Sequence, residues 1–154
     1  MNAPAVETET GERPRVLVVD DHDGMRVLLA IMLHRRGYDP VTVGSAEEGL
    51  AELGTGRYAA VLSDEQMPGG NGLDLLRRLR ARGDRTPFVL MSAVMPAELI
   101  RSAMASGATV AVDKASIVEA LGTVLERALS APWRRSAGSP SRRSRNRPSP
   151  SLAR

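Results

Sequence analysis

Cysteine is missing from this chain and aromatic residues nearly so: 154 residues hold one Phe, one Trp and two Tyr. Without thiols there is no disulfide framework and no thiol chemistry. That fits a reducing cytoplasm. With so few rings, the core must be built from Leu, Val, Ile, Met and Ala, and a 42% hydrophobic content is enough for one. No apolar run approaches the roughly 20 residues that span a bilayer. Residues 1–13 are polar, with Pro4, Glu7, Glu9 and Glu12, and lack the basic start and apolar stretch of a secretory leader. Lysine is scarce too: Lys114 is the sole lysine among 21 basic residues. The arginine excess reads as genomic base composition, which leaves that one lysine conspicuous.

The net charge of +3 averages two unlike regions. Up to Leu129 there are 14 basic and 18 acidic side chains, and from Ser130 onward seven arginines and no acid. A mildly acidic domain thus carries a basic tail. The composition divides the chain into a disordered segment over 1–13, a folded domain over 14–129, and a disordered Arg/Ser/Pro-rich tail over 130–154.

Within the domain, hydrophobic periodicity alternates between two kinds. Short β-branched runs predict strands at 15–19, 40–43, 58–63, 88–91 and 109–112. Between them lie stripes at helical spacing. Met25, Leu28, Leu29 and Met32 predict a first helix, with Asp21 or Asp23 as its cap and Gly37 at its end. Ser45 and Glu48 form a capping-box signature for a second, running to about Leu53. Leu73, Leu76 and Leu79 mark a third, stopped by Gly83. Leu99, Ile100, Ala103 and Met104 are expected to face inward on a fourth, with Pro96 in its first turn and Gly107 as its stop. Ile117, Leu121, Val124, Leu125 and Ala128 form the inward face of a fifth. Strands alternating with helices predict an α/β fold, a doubly wound parallel sheet with helices on both faces.

Several polar residues fall at the strand ends. Asp20 and Asp21 follow the first strand, Asp64 the third, Ser92 the fourth, and Lys114 comes just past the fifth. In an open parallel sheet the carboxyl ends of the strands line one crevice. Three carboxylates converging there repel one another, and a divalent cation is the usual means of holding such a set. His22 and His34 are set aside as metal or phosphorelay residues. His34 sits beside Arg35 and Arg36, and His22 has no partner at ligand spacing in the sequence.

Taken together, Val18-Val19-Asp20-Asp21, Leu62-Ser63-Asp64-Glu65-Gln66-Met67-Pro68-Gly69-Gly70-Asn71-Gly72, Met91-Ser92-Ala93, and Gly107-Ala108 with Lys114 resemble the receiver domain of two-component response regulators. The resemblance implies a five-stranded, flavodoxin-like sheet in the order 2-1-3-4-5. It implies that Asp64 accepts a phosphoryl group from a phosphohistidine donor. It also implies an Mg²⁺ cofactor, held directly by Asp21 and Asp64, through water by Asp20, and by the backbone carbonyl of Gln66. Lys114 would pair with one phosphoryl oxygen, and the Ser92 hydroxyl would bond another. The implied partners are a sensor histidine kinase or phosphotransfer protein and an unidentified output protein. Such a module is regulatory and not an enzyme.

Two positions depart from that family. The fifth strand usually carries an aromatic three residues before the lysine, where this chain has Ala111. The ring that would swing inward on phosphorylation is therefore missing, so the signal must leave through the Ser92–Met95 loop or through surface charge. The residue after the lysine is usually proline and here is Ala115. A cis bond at a non-proline costs about 2.5–4 kcal/mol, so the Lys114–Ala115 peptide is expected to be trans. The 25 residues after Leu129 are too few and too polar for a second folded domain, so a single-domain regulator acting through protein contacts is expected. The tail arginines could touch nucleic acid or an acidic membrane surface by charge alone, but the simpler reading is a solvated extension. Rival functions are a phosphorylation-independent scaffold and an aspartyl-phosphate hydrolase of the haloacid dehalogenase type. The hydrolase is disfavoured, because Asp64-Glu65-Gln66-Met67 does not match its Asp-x-Asp-x-Thr motif.

Overall fold

A computed structural model describes residues 11–130. The expectations for 1–10 and for the basic tail from 131 on lie outside the described residues. The elements alternate strictly: β1 (Arg15–Val19), α1 (Asp23–Arg35), β2 (Asp39–Val43), α2 (Ala46–Thr55), β3 (Ala60–Asp64), α3 (Gly72–Ala81), β4 (Phe88–Ser92), α4 (Ala97–Ala105), β5 (Val110–Asp113) and α5 (Lys114–Leu129). The strands form one parallel sheet in the order β2-β1-β3-β4-β5. The alternating periodicity predicted this fold class, and the family resemblance predicted this strand order. Among the described residues no helix is long and apolar enough to cross a membrane.

The pleat sorts each buried strand into two cores. Val16, Val18, Leu62, Val89 and Met91 face α1 and α5, packing on Leu29, Leu33, Ile117, Leu121 and Leu125. Leu17, Val19, Val61, Phe88 and Leu90 face the other way, onto Leu50, Leu53, Leu75, Leu76, Leu79 and Ala103. β3 and β4 are buried throughout, which explains why they read as continuous apolar runs. The chain crosses from β1 to β2 on one side and then reaches β3 on the other. This reversal opens a crevice at the carboxyl ends of β1 and β3.

Two helix faces differ from expectation. In α1 the inward stripe is Met25, Leu29, Met32 and Leu33, while Leu28 is 40% exposed. Val27, Leu28 and Ile31 point outward, because the helix seats on a stripe one position round from the one the spacing favoured. In α4 only Ala103 is fully buried, with Leu99 partly so; Ile100 and Met104 are 38% and 47% exposed. This helix lies at the β5 edge of the sheet, so only a narrow face of it finds cover.

Local capping also has corrections. Neither Asp21 nor Asp23 caps α1; His22 occupies that position without a side-chain bond to the helix, and Asp23 is already helical. Gly37 takes φ +88° after α1, a conformation that favours glycine. Ser45 Oγ accepts from the Glu48 amide as expected, whereas the Glu48 carboxylate accepts from Gly44. Pro96 is the residue before α4 and not in its first turn. α5 follows β5 with no loop, because Asp113 caps it by accepting from the Ser116 amide and hydroxyl. No peptide bond among the described residues is cis, so Lys114–Ala115 is trans as expected.

Candidate functional site

The site grows from where the strands end. Asp64 is the last residue of β3 and pairs in register with Met91, so Ser92 lies one residue further along the neighbouring strand. Ser92 in turn pairs with Asp113, the residue before Lys114. Asp20 and Asp21 leave β1 beside them. Asp20 is fully buried, and Asp64 and Ser92 are each 2% exposed. Buried charges at a sheet edge need partners, and the contacts show what supplies them.

Lys114 reaches across the crevice. Its Nζ lies 3.0 Å from Asp20 Oδ2 and 3.2 Å from Asp64 Oδ2. The contact to Asp20 is a charge contact without regular hydrogen-bond geometry, for Asp20 Oδ2 has no hydrogen-bond donor. Burial draws the Lys114 ammonium down, but its two carboxylate partners outweigh that and hold it above its ordinary value. Burial pushes the Asp64 carboxyl up; the Asp20 charge adds to this, and Lys114 opposes both. Asp64 Oδ1 accepts weakly from the Gln66 amide at 3.4 Å.

Further groups, not foreseen from the sequence, hold this arrangement. The Arg26 guanidinium donates to the Asp20 backbone carbonyl at 2.6 Å and pairs with Asp23. The Glu65 carboxylate accepts from the Leu73 amide at 3.0 Å, tying the chain after Asp64 to the start of α3; burial pushes its carboxyl up. Asn71 caps the same helix through the Asp74 amide. Gly72 fits where no side chain could, since an added Cβ would overlap the Asp64 carbonyl oxygen and come within 2.8 Å of Leu90 Cδ1. The acid–base pair Asp23/Arg26, three apart in α1, was the only available sequence signal for Arg26. Glu65 left none beyond its place next to Asp64.

Asp20, Asp21, His22 and Asp64 each offer one ligand atom, and these atoms lie within 4.8 Å of one another. The expectation that His22 had no partner is therefore overturned: its Nδ1 is 3.3 Å from Asp20 Oδ1 and 3.3 Å from Asp21 Oδ1. Its amide also donates to Asp20 Oδ1. The strand ends already bring the three carboxylates together; what spacing does not reveal is that the His22 ring turns back onto its own neighbours. His34 lies apart, against Arg13. Three carboxylates face one ammonium here, and the buried Asp20 Oδ2 and Asp21 Oδ1 lack hydrogen-bond donors. Such a set fits a hard dication that prefers oxygen ligands.

Residues 16–126 match the family model of the response regulator receiver domain. The chain belongs to this family. It is 38% identical over 121 residues to the sensory/regulatory protein RpfC of Xanthomonas campestris pv. campestris, covering 75% of this chain and 17% of RpfC. Against the transcriptional regulatory protein AfsQ1 of Streptomyces coelicolor it is 31% identical over 122 residues, covering 79% of this chain and 52% of AfsQ1. It therefore spans about half or less of these relatives. The crystallised chemotaxis protein CheY4 of Vibrio cholerae superposes with a TM-score of 0.72 at 28% identity, over 76% of this chain and 99% of CheY4. The response regulator TrrA of Thermotoga maritima, solved in complex with Mg²⁺–BeF, gives a TM-score of 0.68 at 29% identity, covering 75% of this chain and 99% of that one. This receiver domain thus carries the two-component response-regulator fold, in a family that typically undergoes phosphorylation on aspartate and binds Mg²⁺ at an acidic pocket.

Proposed function

We propose that Asp64 is the phosphoryl acceptor of a cytoplasmic two-component relay. Its donor is a phosphohistidine on a sensor histidine kinase or phosphotransfer protein. The unit over 14–129 then signals through protein contacts and does not turn over a substrate. The observation that supports this best is the setting of Asp64: a nearly buried carboxylate at a strand end, 3.2 Å from the chain's sole lysine and grouped with Asp20 and Asp21.

The chemistry follows from these groups. A carboxylate oxygen of Asp64 attacks phosphorus while the phosphorus–nitrogen bond of the phosphohistidine breaks, its electron pair leaving with the imidazole. The product is an acyl phosphate, which water cleaves, so the switch resets. The transition state is loose, with charge spread over three oxygens. Lys114 is poised to exchange its contact with Asp64 Oδ2 for one phosphoryl oxygen, as a point charge on a flexible stem. The Ser92 hydroxyl donates to another. Asp21, Asp64 and the Gln66 backbone carbonyl would hold Mg²⁺, with Asp20 assisting through water. When bound, Mg²⁺ neutralises charge on the phosphoryl oxygens. The Mg²⁺–BeF complex of TrrA supports this use of the pocket.

Ala111 favours one other reading, a scaffold that never takes phosphate. Its methyl group packs against the core beneath α2, α3 and α4 and offers no ring to relay a change at Asp64. Incubation with a small phosphodonor and Mg²⁺ separates the two. Intact-mass measurement should show one added phosphoryl group in the wild type and none in Asp64→Asn. A folded wild type that takes up no phosphate would favour the scaffold.

A further inference from the structure

The phosphoryl chemistry gives His22 no task, yet the fold brings its ring to the centre of the site. His22 Nδ1 is equidistant from Asp20 Oδ1 and Asp21 Oδ1, at 3.3 Å from each. Its nitrogen and one oxygen from each of three aspartates lie close enough to share a single ion. Two buried oxygens at this point make no regular hydrogen bond: Asp20 Oδ2 is met by the Lys114 ammonium, and Asp21 Oδ1 by the His22 ring. The polar contacts of the ring are all with these carboxylates, its Nδ1 lying within hydrogen-bond distance of Asp20 Oδ1 and beside Asp21 Oδ1. Although His22 is the residue before α1, its side chain makes no capping bond, and it is 68% exposed.

We propose that His22 supplies an imidazole donor to the metal site, raising its affinity for first-row transition-metal dications relative to Mg²⁺ above what the carboxylates alone would give. This rests on the reading of the acidic pocket as metal-holding. Mg²⁺ favours oxygen ligands, keeps several of its waters and gains little from a nitrogen donor. Carboxylate and water sets suit Mg²⁺ and Mn²⁺, whereas imidazole suits the later first-row metals, with affinity rising from Mn²⁺ to Ni²⁺. One imidazole added to three carboxylates therefore alters selectivity more than it alters Mg²⁺ binding. The ring is already in place: the His22 amide is anchored on Asp20 Oδ1 at 3.0 Å, so its backbone moves with the carboxylates it would assist. That anchor is a main-chain bond and survives any substitution of the ring.

Calorimetric titration of the full chain with Mg²⁺, Mn²⁺ and Ni²⁺ tests this. In His22→Ala, and in His22→Phe, which keeps an aromatic ring without a donor, the ratio of Ni²⁺ to Mg²⁺ affinity should fall about tenfold or more, the scale of losses seen around metal ligands. Mg²⁺ affinity itself should hardly move. His34→Ala, whose ring lies apart against Arg13, should keep the wild-type ratio. In the wild type, Mn²⁺ should selectively broaden the His22 ring resonances. An unchanged Ni²⁺ to Mg²⁺ ratio in both His22 variants would overturn the proposal while leaving the pocket a metal site. If Asp21→Asn and Asp64→Asn bind all three ions as the wild type does, the pocket is not the metal site and both readings fall.

Discussion

Replacing Lys114 with Met keeps most of the aliphatic stem and removes the ammonium shared by Asp20 and Asp64. At 3.0 and 3.2 Å, each attraction is about 5 kcal/mol at an effective dielectric near 20. Two effects oppose this gross gain. The ammonium is desolvated, with 16% of the side chain exposed. It also sits at the first residue of α5, where the helix dipole disfavours a cation by about 0.3–1 kcal/mol. Breaking a buried ion pair by removing one member typically costs about 3–5 kcal/mol. The open edge of this pocket places Lys114→Met at or just below the lower end of that range, about 2–3 kcal/mol in metal-free buffer. Urea unfolding followed by circular dichroism measures it. Added Mg²⁺ should restore much of the loss, since ligand at a hundred times its dissociation constant contributes about 2.7 kcal/mol. The variant should also gain more from Mg²⁺ than the wild type does, because the ion then replaces the missing charge. A loss below about 0.5 kcal/mol, the range of ordinary surface substitutions, would refute the claim that Lys114 compensates these carboxylates. So would equal Mg²⁺ stabilisation in the two proteins.

The Asp64 carboxyl is held above its ordinary value, chiefly by burial and then by Asp20. Its ionisation in the fold is therefore unfavourable. The penalty is absent below the ordinary carboxylate range and complete above the raised value, so stability falls as pH rises through that window. Asp64→Asn should remove this fall and be more stable than the wild type at neutral pH without metal; melting curves across the acidic range would show the reverse if the reasoning fails. Arg26→Ala removes the donor to the Asp20 carbonyl. It should lose about 1.5–3 kcal/mol, the scale for a hydrogen bond to a charged group, and weaken Mg²⁺ binding by about tenfold; calorimetry showing full affinity would contradict the positioning role. Gly72→Ala forces a Cβ onto the Asp64 carbonyl and should cost about 1–3 kcal/mol by overpacking, which a denaturant midpoint equal to the wild type's would disprove.

The sequence makes most of this fold legible because two local periodicities alternate without ambiguity. The short apolar runs ending at Asp20, Asp64 and Ser92 read as buried strands by their length and flanking turns, and strand ends in a parallel sheet share an edge. The full inward face predicted for α5, from Ile117 to Ala128, is buried. The failures have a common cause. Leu28 in α1 and Ile100 and Met104 in α4 sit on apolar arcs wider than the sheet covers, and periodicity does not say which edge of an arc is left out. His22 was set aside for want of a partner at ligand spacing, yet the turn after β1 folds its ring back onto the adjacent Asp20 and Asp21. Arg26 and Glu65 act on backbone groups, which leave no trace in side-chain patterns. Lys114 was visible because lysine is otherwise absent, but its shared contact with Asp20 and Asp64 required the structure.

The central claim is that Asp64, among the acidic residues gathered at this edge, is the one that is chemically changed. The most direct measurement treats the protein with phosphodonor and Mg²⁺, reduces the acyl phosphate with borohydride, and maps the modified residue by peptide mass spectrometry. Modification confined to the peptide position of Asp64 is the expected result. Modification at Asp20, Asp21 or Glu65 with Asp64 intact would contradict the account.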